Sequence, residues 1–318
     1  MSFAPVFVVG VGRSGTSLVQ SMLAGHSQLA FPPETQFMRR YVGRGRLTQR
    51  HASGGVAAVR AVLEADDRIC RLRLDLEQVL ACYVRGAPFS EPDLYERLLT
   101  CYAEARGKPR VGDKDPRLVE FLPLLARHWP AAHVVHVIRD PRDVLASKKK
   151  AAWSSHRSAA THVFANRVQL HAGRRSGPPL FGPRYHEVVY EALLANPEAV
   201  LRRLTRCLGL PYEGNMLEFA GAARTLVAPD ELAWKRETLG ALLTTNSGKW
   251  RQELADWEAA LVAEVCREGL RIASRRDQPT VKLARAARLK VRCLSLLLSI
   301  LEWPYRVYRW GTLVRRQR

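Results

Sequence analysis

The chain has 318 residues, with 50 Lys+Arg against 30 Asp+Glu and a formal charge of +20. Hydrophobic residues at 47% suffice for a sizeable core, and a charged share of 25% excludes wholesale disorder and low-complexity classes. No run of about 18 apolar residues exists to span a bilayer. The six cysteines (Cys70, Cys82, Cys101, Cys207, Cys266, Cys293) form no CxxC pair. Neither a zinc ribbon nor a disulfide framework is expected, and a reducing, cytoplasmic compartment is. The arginine excess calls for an anionic partner: a nucleotide, a polyanion or an acidic lipid surface.

In chain order, Val6–Val9 is a continuous apolar run ending in Gly10, the pattern of a strand buried on both faces. Its position at the start reads as a strand and not as a cleaved leader. After a Gly-rich turn, Leu18, Val19, Met22 and Leu23 share one face of a helix that stops near Gly25. Residues 43–93 read as a helical insertion over the sheet. His133–Ile138 is a second strand and Tyr185–Tyr190 a third, followed by helix signals from Asn196-Pro197 to a Gly209 stop. Between them, Ser, Gly and Pro over 154–183 predict an irregular surface region. Strands alternating with helices imply crossovers and a mainly parallel sheet, hence a three-layer α/β/α fold of P-loop-like kind. A polar segment, Arg275–Gln278, with Pro279 after it, marks a boundary between a main domain, 1–275, and a basic amphipathic tail, 276–318. From Val281 onward that tail carries ten Lys/Arg and one acid.

Gly10-Val-Gly-Arg-Ser-Gly-Thr-Ser17 lies between the first strand and its helix, where a phosphate-binding loop belongs. Its glycines let backbone N–H groups turn onto phosphate oxygens, and the helix terminus adds about half a positive charge. The spacing resembles G-x4-G-K-[ST], but Thr16 stands at the lysine position and Arg13 supplies the basic group. A triphosphate–Mg²⁺ complex would be poorly served by this loop, and a single 5′-phosphate unit well served. An ordinary Gly-rich turn is the bland alternative. A second constellation, Arg139-Asp-Pro-Arg-Asp-Val-Leu-Ala-Ser147, leaves the strand HVVHVI. Asp140 or Asp143 can cap the next helix and Pro141 suits its start. Arg139 and Ser147, two helical turns apart, could converge on another phosphate, with Lys148, Lys149 and Lys150 adding charge.

Together these residues resemble the sulfotransferases that use 3′-phosphoadenosine 5′-phosphosulfate, over most of residues 3–275. GRSGTSL is similar to their 5′-phosphosulfate loop (Arg13, Ser14, Gly15, Thr16, Ser17). RDPRDVLAS is similar to their 3′-phosphate motif, in which Arg139 and Ser147 would grip that phosphate. Further matches are Gly112-Asp-Lys-Asp-Pro116, Tyr190-Glu191, Cys207-Leu-Gly-Leu-Pro-Tyr212 and Asn246-Ser-Gly-Lys-Trp250. Arg13, Glu34-Thr35 and Lys114-Asp-Pro are closer to tyrosylprotein sulfotransferases and their bacterial relatives than to the cytosolic small-molecule branch. That branch has Lys in the first loop and a catalytic His after its strand-end Lys; here Asp115 and Pro116 follow Lys114. The resemblance implies donor contacts from Tyr190, Ser247, Lys249 and Trp250, with Ser247 and Lys249 closing over the nucleotide and adenosine 3′,5′-bisphosphate as product.

Sulfuryl transfer asks a protein for in-line positioning and charge neutralisation. Arg13, the loop N–H groups, Thr16, Lys114 and Ser247 are the candidates, and no metal site is expected. His133 and His136, three apart in a strand, point to opposite faces and cannot share an ion. Glu34, in Phe31-Pro-Pro-Glu-Thr-Gln36, either caps the helix holding Phe37 and Met38 or, as the resemblance favours, takes the proton of an acceptor hydroxyl or phenol at a strand's carboxyl end. Apolar and proline neighbours there would raise its pKa. In the tail, Leu283, Ala287, Val291, Leu294, Leu298 and Leu301 recur at helical spacing beside a stripe of Lys282, Arg285, Arg288 and Arg292. Pro304 should interrupt that helix, within a cluster of Trp303, Tyr305, Tyr308 and Trp310 that interleaves with Arg306 and Arg309. Such a tail suits an interfacial helix on the inner face of an anionic membrane, or docking on the domain or a second subunit; nucleic acid is disfavoured for want of a recognised module. The rival functions are a P-loop kinase and a non-catalytic, membrane-peripheral nucleotide-binding protein. Peptide tyrosine, sugar, lipid and small metabolite all remain open as acceptor.

Overall fold

The computed structural model describes residues 3–227, 240, 243, 245–273 and 283–315. Five parallel strands form one sheet in the order β2-β3-β1-β4-β5: β1 (Val6–Gly10), β2 (Leu29–Ala30), β3 (Arg110–Lys114), β4 (His133–Ile138) and β5 (Tyr185–Val189). The all-apolar β1 is central, with Val6 opposite Gly112 on one side and His133 on the other. Side chains alternate across it. Val6 and Val8 join Val135, Val137 and Val188 under helix α1 (Thr16–Ala24), whereas Phe7 and Val9 join Val111 and Val134 on the opposite face. Helices on both faces complete the three layers expected for a parallel sheet.

The insertion over 43–93 is helical as expected: α2 (Arg46–Glu64, kinked at Gly54–Gly55), α3 (Asp67–Cys70), α4 (Leu76–Val84) and the start of α5 (Glu91–Glu104). It packs through Leu47, Val59, Leu63, Val79 and Leu94 into the core cluster that holds Phe7 and Phe37. Asp66, Asp75 and Ser90 accept hydrogen bonds from backbone N–H groups at the starts of α3, α4 and α5. After β3 come α6 (Leu122–His128) and, beyond β4, α7 (Pro141–Lys150), capped by Asp140 with Pro141 at its start.

Residues 154–183 are not the irregular region that their composition predicts. They hold α8 (Ala159–Phe181), a helix of 23 residues. The glycines there serve close approach: a Cβ on Gly173 would fall 2.5 Å from the His136 ring, and one on Gly177 2.1 Å from the Tyr185 ring. Spaced four apart, they form the groove that lets α8 lie against the sheet. His136 packs there in neutral form, and His133 packs on the opposite face of β4. His136 Nδ1 pairs with Tyr185 Oη at 2.5 Å, and burial pushes its pKa down to about 3; His133 Nδ1 meets His186 Nε2 at 3.1 Å.

Beyond β5 follow α9 (Tyr190–Ala195), α10 (Pro197–Cys207), α11 (Ala220–Leu226), α12 (Trp250–Glu253), α13 (Asp256–Val265), α14 (Arg267–Ala273) and α15 (Arg285–Arg315). The sequence boundary at 275–278, and Val281 and Lys282 of the tail, lie outside the described residues, as do the side chains of Arg309 and Trp310. α15 docks on the domain: Val291 and Leu298 are buried in a cluster with Val163 of α8 and Leu261 and Val265 of α13. One expectation for this helix is corrected. Pro304 does not interrupt it, because anchors grip it on both sides of the lost hydrogen bond. Glu302 is bonded by Arg167 and His171, and Tyr305 packs edge-on against Phe164. Leu301, which shares the helical spacing of Val291 and Leu298, is exposed, and the helix turns Glu302 and Tyr305 inward.

Helix propensity alone would make Gly173→Ala stabilising by about 1 kcal/mol. Overpacking against a fully buried imidazole costs about 1–3 kcal/mol. The net expectation is a lower midpoint in denaturant unfolding, and an unchanged or higher midpoint would show that α8 stands off the sheet.

Candidate active site

The chain leaves β1 at its carboxyl end, between β3 and β4, and turns through residues 11–15 into α1. Ser14 N–H bonds to Val11 O at 3.0 Å, and Arg13 and Gly15 take φ of 76° and 96°. Only glycine is free of side-chain strain in that region, and Gly15 has a second reason to be glycine. A Cβ there would lie 2.2 Å from the Tyr190 ring. Arg13, a non-glycine in the left-handed region, is held by partners from the second motif. Its Nε donates to Ser147 Oγ at 2.9 Å, and its carbonyl accepts from Arg139 Nη1 at 3.2 Å. The two motifs, 126 residues or more apart in sequence, are thus one assembly. Arg139 is buried over the Tyr190 ring at 4.5 Å, and its Nη2 donates to Asn246 O at 2.7 Å. Asn246 Nδ2 in turn donates to Tyr190 Oη at 2.9 Å. Two buried polar atoms here lack partners, Ser14 Oγ and Arg139 Nε. Phosphate oxygens are the acceptors that such a pair would suit.

The residues around Glu34 form the opposite wall. Lys114, at the end of β3, is 1% exposed and paired with Glu34. Gln36 Nε2 donates to Glu34 Oε1 at 3.0 Å, and Arg39 Nε donates to Asp115 at 2.5 Å. The carboxylate of Glu34 therefore sits among polar and cationic partners, not in the apolar surroundings that its sequence neighbours suggest. Behind it, burial pushes Asp113 up to about 7, and Tyr95 Oη donates to its carboxylate. Both walls belong to one cavity of about 750 Å³. Among the described residues eight cationic and three anionic side chains line it, so its field favours an anion. One side is apolar, with Phe164, Ala165, Val168 and Tyr305. No group of three or more His, Cys, Asp or Glu able to hold a metal ion occurs among the described residues.

Most of the residues singled out from sequence meet here: Arg13, Gly15, Thr16, Ser17, Glu34, Lys114, Arg139 and Tyr190 line the cavity. Ser147 reaches it through Arg13. The segment 246–250 is less direct. Asn246 faces the cavity, whereas Ser247 is exposed and Lys249 half-buried, both outside its wall. Trp250 is buried, with the Arg142 guanidinium 3.9 Å from its ring. Asp143 fixes that segment by accepting from Gly248 N–H at 2.7 Å and Trp250 N–H at 2.9 Å. Asp143 was legible only as a helix cap, and its actual partner lies 105 residues away in sequence. Of the three consecutive lysines only Lys148 lines the cavity; Lys149 and Lys150 pair with Glu258 and Glu253. Tyr305 gave no sequence signal of its role, since nothing in the tail says that it returns to the cavity.

A parallel sheet flanked by helices, with a Gly-rich loop on its central strand and a cationic cavity at its carboxyl edge, is a P-loop-like α/β architecture. The Sulfotransferase family model matches residues 5–214, and the chain belongs to that family. It is 28% identical over 282 residues to nodulation protein NoeE of Sinorhizobium fredii, covering 81% of this chain and 62% of that one. Over 251 residues it is 27% identical to omega-hydroxy-beta-dihydromenaquinone-9 sulfotransferase Stf3 of Mycobacterium tuberculosis, covering 65% and 63%. An uncharacterized Aquifex aeolicus protein is 25% identical over 276 residues, with 84% of this chain and 33% of that one covered. The chain thus spans between about a third and two thirds of the length of these relatives. The fold matches the sulfotransferase domain of the Synechococcus PCC 7002 olefin synthase with a TM-score of 0.60 at 20% identity, covering 88% of this chain and 98% of that one. A sulfotransferase domain of the curacin biosynthetic pathway gives 0.55 at 19% identity, covering 83% and 98%.

Lys148 gives the site a pH signature. Burial pushes its pKa down to about 8. Between that value and about 10.5 the unfolded chain holds a proton that the folded chain has released, so stability rises with pH through this window. Below pH 8 the cost is fully present. Lys148→Met should raise the stability of the unliganded protein at pH 7 by on the order of 3 kcal/mol, since a fall from about 10.5 to about 8 is worth about 1.4 kcal/mol per pKa unit. That advantage should shrink by pH 10. Equal gains at both pH values would show that Lys148 is not desolvated.

Proposed function

We propose that the chain transfers a sulfuryl group from 3′-phosphoadenosine 5′-phosphosulfate to a hydroxyl or phenol of an acceptor. The observation that carries this reading is the interlock of Arg13, Ser147 and Arg139, which brings the 5′-phosphosulfate loop and the 3′-phosphate motif to one cavity. Thr16 in place of the P-loop lysine speaks against a kinase handling a triphosphate–metal complex. Membership of the Sulfotransferase family agrees.

The donor would supply an activated sulfuryl group, and this chain's residues would orient it. The N–H groups of Arg13 to Ser17 at the start of α1, with the Ser14, Thr16 and Ser17 hydroxyls, suit the 5′ end. Arg139 and Ser147 suit the 3′-phosphate, with Arg139 Nε as the unsatisfied donor. Ser247 and Lys249, which follow Asn246 of the cavity wall, would close over the nucleotide, with Trp250 anchoring that loop through Arg142. Glu34 takes the acceptor's proton as its oxygen attacks sulfur. Lys114 and Arg13 neutralise charge on the sulfuryl and leaving oxygens. Because Lys114 pairs with Glu34 in the resting site, protonation of Glu34 weakens that pairing and turns the lysine toward the transferring group. Relatives are named as an omega-hydroxy-beta-dihydromenaquinone-9 sulfotransferase and a putative protein-tyrosine sulfotransferase, which leaves both a lipid-borne hydroxyl and a peptide phenol open as acceptor.

Calorimetric titration tests the donor site. Adenosine 3′,5′-bisphosphate should bind tightly without added metal and in preference to ADP and ATP–Mg²⁺. Arg139→Ala should weaken it about tenfold to a hundredfold, the worth of one or two charge-assisted hydrogen bonds. No preference over ADP would remove the reading. Glu34→Gln should bind the bisphosphate like the parent protein. With labelled donor and an accepted alcohol its turnover should fall about 10²–10⁴-fold, and unchanged turnover would assign the base elsewhere.

A further inference from the structure

α15 has two apolar faces and uses one. Toward the domain it turns Val291, Leu298, Glu302 and Tyr305. On the outside, Leu296, Ile300, Trp303 and Val307 recur three or four residues apart, with Leu289 two turns before them, and Trp303 is 70% exposed, Leu296 65% and Ile300 62%. At 1.5 Å per residue this stripe runs about 28 Å along the helix. A helix that merely closes a domain carries polar residues on its solvent side; this one does not.

The charges around the stripe say what covers it. At 3.6 residues per turn, Arg288, Arg292 and Arg306 lie in a row along one edge of the stripe, between it and the domain. All three are exposed and none is in an ion pair among the described residues. Glu302 is the only acid from residue 283 to 308, and it is buried against Arg167 and His171. The exposed face is therefore apolar with a purely cationic border, and Trp303 and Tyr308 are aromatic groups on it with a polar atom each. A protein partner would have to present apolar surface and anionic groups in register with this stripe; an anionic bilayer presents both everywhere along it.

We propose that the outer face of α15 lies flat in the interface of an anionic membrane, with Leu289, Leu296, Ile300 and Trp303 among the acyl chains and Arg288, Arg292 and Arg306 on the headgroups. No helix among the described residues is long and apolar enough to cross a membrane, so the contact is along the helix and not through the bilayer. It also sets the orientation of the cavity. Tyr305 lines the cavity from the same turns that carry Trp303 and Val307 outward. Resting on the sulfotransferase reading, this deepens it: the acceptor is an amphipathic alcohol or phenol held at the membrane, entering along Phe164 and Tyr305.

Vesicle cosedimentation of the full chain tests the docking without reference to activity. The protein should partition onto phosphatidylcholine vesicles containing phosphatidylglycerol, and weakly onto phosphatidylcholine alone. Leu296→Glu/Ile300→Glu and Arg288→Glu/Arg292→Glu should each lower the partition coefficient at least about tenfold, and salt should weaken the parent protein's binding. All these side chains are exposed, so circular dichroism and the affinity for adenosine 3′,5′-bisphosphate should stay as in the parent. Sedimentation velocity supplies the competing outcome. If Leu296→Glu/Ile300→Glu converts a dimer to a monomer while vesicle binding is absent or unchanged, the face is a subunit interface and the membrane proposal fails. Failure of bisphosphate binding would remove the donor site and leave the vesicle result standing, so the two readings fall separately.

Discussion

β1 is hydrogen-bonded on both edges, to β3 and to β4, and the placement of the site depends on that constraint. A central parallel strand cannot extend past its neighbours without leaving the sheet, so residues 11–15 turn over the carboxyl edge into α1. The same edge receives Lys114 from β3 and Arg139 from just beyond β4. Three side chains of very different sequence position are thus gathered by register, with no dedicated loop to bring them together. Because β2 and β3 lie on one side of β1 and β4 and β5 on the other, the crevice opens where connections diverge, the place at which open α/β sheets bind ligands.

Gathering cations at a low-dielectric edge has an energetic consequence. Burial acts against the ammonium of Lys148 and, on the other side, holds Asp113 near neutrality at about 7. Lys114 is paired with Glu34, Arg13 donates to the Ser147 hydroxyl, and Arg139 donates to the carbonyls of Arg13 and Asn246. The arrangement is self-consistent, yet it leaves Ser14 Oγ and Arg139 Nε unsatisfied. An anion that satisfies both would bind the folded state alone and stabilise it by mass action. The site is therefore preorganised for an anion at some expense to the unliganded fold.

How much of this was legible in the sequence follows from how local each signal is. β1, its loop and α1 were readable because a four-residue apolar run, a Gly-rich turn and a helical stripe follow one another without interruption. The cap of α7 by Asp140 was readable for the same reason. What failed was composition used in place of contact. The Gly and Pro residues of 154–183 looked like loop, but Gly173 and Gly177 are small because His136 and Tyr185 press against them, which no local window reveals. Asn246 rather than Ser247 faces the cavity because Asp143 fixes the backbone of 248 and 250. The polar setting of Glu34 depends on Lys114, 80 residues on. Long-range pairing decided each of these.

The tail shows the same distinction at larger scale. Its helical spacing allowed two outcomes, docking on the domain or contact with an external surface, and they appeared exclusive because one amphipathic stripe was assumed. A helix has room for two. Val291, Leu294 and Leu298 fill the inner stripe, and Glu302 with Tyr305 continues it in polar form, fixing the rotation of the helix about its axis. That rotation leaves Leu289, Leu296, Ile300 and Trp303 with no domain to face. Had Leu301 rather than Glu302 turned inward, the outer stripe would have been narrower and less apolar. The buried contacts of Glu302 with Arg167 and His171 therefore do more than hold the tail in place: they determine which surface it presents to the outside.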